Sequence, residues 1–166
     1  MFKKLELSID NLKLSKLIGE KSYCPPNVVE LEIKDKVYLY EEIKKYIDFK
    51  IEPDYELIGI IKYPGTFPHR DGWNVSLNYY MNTNNEITTF WKKENDEYIA
   101  GDIGYNFDDS LKEIGSFQAN KNEFYLLDTK IIHSVKVINP ADIRFILRVV
   151  WLNNSFEEIL NSITPL

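Results

Sequence analysis

From Tyr55 onward the chain breaks into short β-type runs, each bounded by residues that turn a backbone. The runs are Glu56–Tyr63, Val75–Met81, Ile87–Lys92, Glu97–Ile103, Gly115–Ala119, Phe124–Leu127, His133–Ile138 and Arg144–Leu152. Between them stand Pro64-Gly65, Asn82 to Asn85, Asn120-Lys121-Asn122 and Asn139-Pro140, residues that favour tight turns. Short strands at this spacing predict a mainly β protein in two packed sheets.

The first 54 residues read differently. Lys13 to Glu20 is a candidate short helix, Cys24-Pro25-Pro26 breaks it, and Val28 to Ile33 alternates weakly. Tyr40, Ile43, Tyr46 and Ile47 have helical spacing within Leu39–Asp48. At the other end, Ser155 and Glu158 form a capping-box pattern that predicts a helix over 153–166. The expected architecture is a double-stranded β-helix, or cupin-like jelly roll, over 55–152, with a helical preface and a terminal helix. No repeat or linker divides the chain. Its 166 residues, 44% hydrophobic and 14% aromatic, suit one domain with a packed core.

Charge and cysteine usage narrow the function. A net charge of −6 argues against a nucleic-acid partner, because phosphate contacts need a basic face. The one cysteine, Cys24, precludes an internal disulfide and fits a reducing compartment. Met1 to Glu6 lacks the apolar core of a signal peptide, and no apolar run approaches the ~18 residues of a membrane span. A cytoplasmic, membrane-free protein is expected.

The chain has two histidines. His69 opens the triplet His69-Arg70-Asp71, and on an extended strand residues i and i+2 point the same way. His133 shares a strand face with Val135 and Val137, so its ring is expected to face the core. A lone histidine on an apolar face is more often a satisfied core residue than a ligand. The coincidence with a His-x-Asp favours the ligand reading, in which His69, Asp71 and His133 form a facial triad on a metal such as Fe(II). Farther on, Arg144 and Arg148 alternate with Ile146 and Val150 on one face of the last strand. Arginine is rarely buried unpaired, so the pair implies an anionic ligand, an internal ion pair or a solvated face. The segment from Lys92 to Gly115 is either a lid over the site or an ordinary solvated hairpin, and Arg70 and Trp73 are candidate substrate contacts.

These residues together resemble the 2-oxoglutarate/Fe(II)-dependent oxygenases, nearest the prolyl hydroxylases and related amino-acid hydroxylases. Tyr63-Pro64-Gly65, His69-Arg70-Asp71, Asn78-Tyr79-Tyr80-Met81-Asn82 and the stretch from Leu127-Asp128 through His133 to Arg144 occur in the family's order. The resemblance spans about Tyr55 to Trp151. It implies Fe(II) held by His69, Asp71 and His133, with 2-oxoglutarate gripped at its far carboxylate by Arg144 and contacted by Tyr80. Tyr63 would be a further co-substrate contact, and Arg148 would share the carboxylate or serve the substrate. It also implies O2 as co-reactant, succinate and CO2 as co-products, and a small-molecule or peptide substrate hydroxylated at a proline- or Asp/Asn-type side chain. Asp71 and Tyr80 are an odd number of residues apart, so a loop or bulge around Gly72-Trp73-Asn74 is expected between them. Two alternatives stay open: a cupin-type metalloenzyme that does not use 2-oxoglutarate, and a non-enzymatic jelly-roll binding module.

Overall fold

The computed structural model describes residues 1–6, 33–61, 65–83, 85–94, 110–136, 138 and 144–165. In chain order the described elements are β1 (Phe2–Leu5), α1 (Ile33–Lys44), β2 (Ile47–Phe49), β3 (Tyr55–Ile61), β4 (Gly65–His69), β5 (Val75–Asn82), β6 (Ile87–Lys93), β7 (Leu111–Gln118), β8 (Glu123–Asp128), β9 (Ile132–Lys136), β10 (Arg144–Trp151), α2 (Phe156–Ser162) and β11 (Ile163–Pro165). The fold is mainly β with antiparallel sheets. A five-stranded sheet has the order β1-β8-β5-β10-β3, a four-stranded sheet the order β4-β9-β6-β7, and β11 pairs β2. No described helix is long and apolar enough to cross a membrane.

The larger sheet is buried on both faces, and pairing register explains how. Leu147, Val149 and Trp151 stand opposite Tyr79, Leu77 and Val75, and Tyr79 and Leu77 stand opposite Phe124 and Leu126. All belong to one core cluster with Ile43 of α1, Ile47 and Phe49 of β2, and Ile159 of α2. The alternate residues Ile146, Tyr80, Tyr125 and Leu127 cluster instead with Phe90 and Phe117 of the four-stranded sheet. The two sheets therefore face each other across an aromatic core, while the helices cover the outer face of the larger one.

Local chemistry sets the boundaries. Asn85 and Asn122 take left-handed backbone at the turns before β6 and β8, which asparagine tolerates. The helix α2 opens on Ser155, whose side chain accepts from the Glu158 backbone while the Glu158 carboxylate accepts from Ser155 N–H. It ends at Ser162, and 163–165 is a strand, so the expected terminal helix is shorter than its segment. Likewise, α1 ends at Lys44, and Ile47 and Phe49 go into a strand with their side chains buried. β7 begins at Leu111, earlier than expected, pairing β6 as a hairpin that includes residues 92–93 and 111–115 of the candidate lid. Residues 95–109 of that segment, with the strand expected over 97–103, and the features expected between 13 and 32 lie outside the described residues.

Strand β4 ends its sheet's order, and Pro68 is tolerated there because an edge strand need not donate from every residue. Gly65 begins it at φ 120°, and an added Cβ would collide with the Val135 carbonyl oxygen. Thr66 pairs Val135 and His69 pairs His133, so three steps along β4 match two along β9. This one-residue bulge at Phe67-Pro68 decides where His69 points. Without it, the register would set Pro68 opposite His133 and turn His69 to the other face.

Candidate metal centre

His69 and His133 form one rung of the β4–β9 ladder, their ring centroids 4.5 Å apart. Each ring is oriented by a carbonyl two residues earlier: His69 Nδ1 lies 2.8 Å from Phe67 O, and His133 Nδ1 lies 3.0 Å from Ile131 O. A carbonyl only accepts, so each Nδ1 is the donor, and each Nε2 is left with its lone pair toward the site.

Asp71 arrives differently from the expectation. Strand β4 stops at His69, so the two ligands do not share a regular strand, and Asp71 lies in the connection to β5. That connection is tied to the β8–β9 turn. Asp71 N donates to Thr129 O at 3.2 Å, Thr129 Oγ1 donates to Trp73 O at 2.8 Å, and Arg70 Nε donates to Lys130 O at 2.7 Å. The irregular stretch removes the parity conflict between Asp71 and Tyr80. It also gives Arg70 a structural bond to the neighbouring turn.

The carboxylate closes the triad. Asp71 Oδ1 is 3.4 Å from His69 Nε2 and Oδ2 is 3.8 Å from His133 Nε2, and one ligand atom from each residue lies within 4.8 Å of the others. Donors bound about 2.1 Å from one ion stand roughly 3.0–3.4 Å apart, so the Asp71–histidine pairs need adjustments of a few tenths of an ångström and the widest pair, at up to 4.8 Å, must close by about 1.4 Å or more. Asp71 Oδ2 is buried without a hydrogen-bond partner. A buried carboxylate oxygen beside two imidazole nitrogens, with the Arg148 guanidinium 3.7 Å away, is an arrangement that could hold a cation. The donor set therefore fits a metal ion.

Electrostatics say the same of the separate groups. Burial pulls the His133 imidazolium down to about 4, the Asp71 charge only partly opposing it. For His69, burial also acts downward, but the Asp71 carboxylate and the Phe67 carbonyl outweigh it and raise its pKa above 6.5. Asp71 is raised by burial and lowered more by His69, Arg148 and His133, ending below its ordinary value. One imidazole is thus held neutral and the other attracts positive charge. The His69 side chain is 24% exposed against 6% for His133, so access to the site is from the His69 side.

Beside the triad lies a cavity of about 110 Å³, with Asn78, Tyr80 and Arg148 on the wall contributed by the larger sheet. Arg148 is fixed on three sides. Its Nε donates to Asn78 Oδ1 at 2.8 Å, its Nη1 is 3.7 Å from Asp71 Oδ2, and its guanidinium lies 5.6 Å from the centre of the Trp73 ring. Leu127 and Val135 give the cavity apolar walls.

The structure thus brings His69, Asp71, His133, Tyr80 and Arg148 together. Tyr63 and the side chain of Arg144 lie outside the description. Asn78 was missed from sequence. Its signal was polarity alternating as Ser76, Asn78 and Tyr80 in an otherwise apolar strand, and these three all face the opposite sheet. Compared with known proteins, the chain matches no family model and no curated protein.

Proposed function

We propose that the protein is a non-haem Fe(II) oxygenase that uses 2-oxoglutarate and O2 to hydroxylate an amino-acid or peptidyl side chain. One observation carries the reading: two oriented imidazole nitrogens and a buried carboxylate converge beside a cavity walled by a guanidinium. Three ligands from one side leave coordination positions open, whereas a structural zinc site closes with four. The winding supports it too. The chain passes from one sheet to the other at β3–β4, β4–β5, β5–β6, β7–β8, β8–β9 and β9–β10, which is how a double-stranded β-helix is wound.

Fe(II) at the triad, with 2-oxoglutarate and O2, supplies the oxidising chemistry, and the co-substrate leaves as succinate and CO2. The protein's part is orientation and exclusion of water. The carbonyls of Phe67 and Ile131 hold both Nδ1 protons, so neither ring can turn its lone pair away from the metal. Leu127 and Val135 keep water from one side, and Tyr80 and Arg148 present groups suited to a carboxylate. The small cavity accommodates a compact chelator and leaves the substrate to approach from the His69 side.

Anaerobic addition of Fe(II) and then 2-oxoglutarate tests the reading without knowledge of the substrate. The expected result is a weak visible charge-transfer band in the wild type that is missing in His133→Ala, and succinate once O2 is admitted. Absence of both band and succinate from the wild type would end the proposal. One observation favours a second reading, a metalloenzyme that does not use 2-oxoglutarate: Arg148 is already engaged by Asn78 and Asp71. That enzyme would bind iron and form no succinate.

A further inference from the structure

The charge content of the cavity wall carries an inference about how the site fills. Among its described lining residues, the formal charges are the Asp71 carboxylate and the Arg148 guanidinium, once both histidines are neutral ligands. They lie 3.7 Å apart and cancel. A divalent ion placed against Asp71 leaves the pocket with two net positive charges, one of them on a guanidinium that cannot lose its proton. Nor is that guanidinium free to withdraw. The bond from Nε to Asn78 and the Trp73 ring beside Cζ hold it in place, and its side chain is 20% exposed. Screening by water is therefore incomplete, and like charges a few ångströms apart in such a site repel strongly.

We infer that Arg148 opposes binding of a divalent metal alone and makes metal retention conditional on a chelating dianion, so that the two ligands load as a unit. The inference rests on the metal reading of the triad and goes beyond it. It makes Arg148 a positioning and charge-balancing residue that sets the order of assembly, in addition to any contact with the anion. A dianion cancels the two excess charges, and the metal and dianion then each raise the other's affinity by the same factor.

The test is anaerobic titration of the full chain with Mn(II), a redox-stable stand-in, alone and with saturating oxalate or 2-oxoglutarate, and chloride as control. In the wild type, Mn(II) alone should bind weakly, and either dianion should tighten it by at least about tenfold. Arg148→Gln should bind Mn(II) alone about tenfold more tightly than wild type, and gain less from the dianion. Arg148→Lys, which keeps the charge, should follow the wild type. If Arg148→Gln binds Mn(II) alone no better than wild type, Arg148 merely holds Asp71 in place and the inference is overturned. The wild-type titrations stand even if Arg148→Gln does not fold: a Mn(II) affinity indifferent to both dianions overturns the inference. Coupling to oxalate without coupling to 2-oxoglutarate would support it while removing the co-substrate assigned above. Failure of Mn(II) to bind under every condition would remove both.

Discussion

At the scale of the residue, His133 does two jobs that pull against each other. Buried against Phe90 and in the aromatic core, it is neutral in the fold down to about 4, whereas an unfolded chain protonates histidine near 6.5. Between those values the unfolded state binds the extra proton. The stability tied to neutral His133 is therefore complete above 6.5 and is lost as pH falls toward about 4. The loss is on the order of 3 kcal/mol. His69 acts with the opposite sign: its raised pKa gives stability that is present below 6.5 and is lost as pH rises through the folded value. Metal-free wild type should accordingly lose more stability between pH 7 and pH 4.5 than His133→Gln does, measured by chemical denaturation at each pH. Equal losses would show that His133 is not held neutral. A metal ion bound by the triad would need both imidazoles unprotonated, so the affinity for Mn(II) should also fall on acidification.

The bulge in β4 is the element on which the site turns. Deleting Phe67, whose side chain is 73% exposed, removes little buried surface and leaves two steps of β4 against two of β9, so His69 stays opposite His133 in an unbroken register. The expected outcome is Mn(II) binding within about tenfold of wild type, with a change in unfolding free energy of under about 2 kcal/mol. Loss of binding by about 100-fold or more would show that pairing opposite His133 does not by itself aim the histidine. This is also where the sequence was least legible. Strands β5, β6, β8 and β10 lie within one or two residues of where the pattern and turn residues placed them, because β5, β6 and β10 run long enough to show a period and β8 is an apolar run bounded by turn residues. β4 reads as punctuation, since Gly65 and Pro68 are turn residues when seen without their partner strand. β1, β2 and β11 are too short to display a repeat. The triad residues were identifiable because two histidines in 166 residues leave few choices. The role of Arg148 was not, because it depends on Asn78 lying opposite across the sheet, a matter of register that no single strand encodes.

At the scale of the molecule, the larger sheet separates a structural layer from a chemical one. Trp151 is fully buried on the helix side and donates from Nε1 to Ile51 O at 3.1 Å. Trp151→Ala should cost about 3–5 kcal/mol, read from the denaturation midpoint, yet leave Mn(II) affinity within about threefold wherever the protein remains folded. Parallel losses of both would mean that the layers are not independent. A different consequence follows from placing both imidazoles on one rung. An ion bound there would rivet an outermost strand to its neighbour across a long stretch of intervening chain. At one hundred times its dissociation constant, it adds about 2.7 kcal/mol against any opening that parts the rung. Chelation should therefore unfasten β4 before the rest, and deuterium should enter the backbone amides of Gly65, Thr66, Phe67 and His69 soonest.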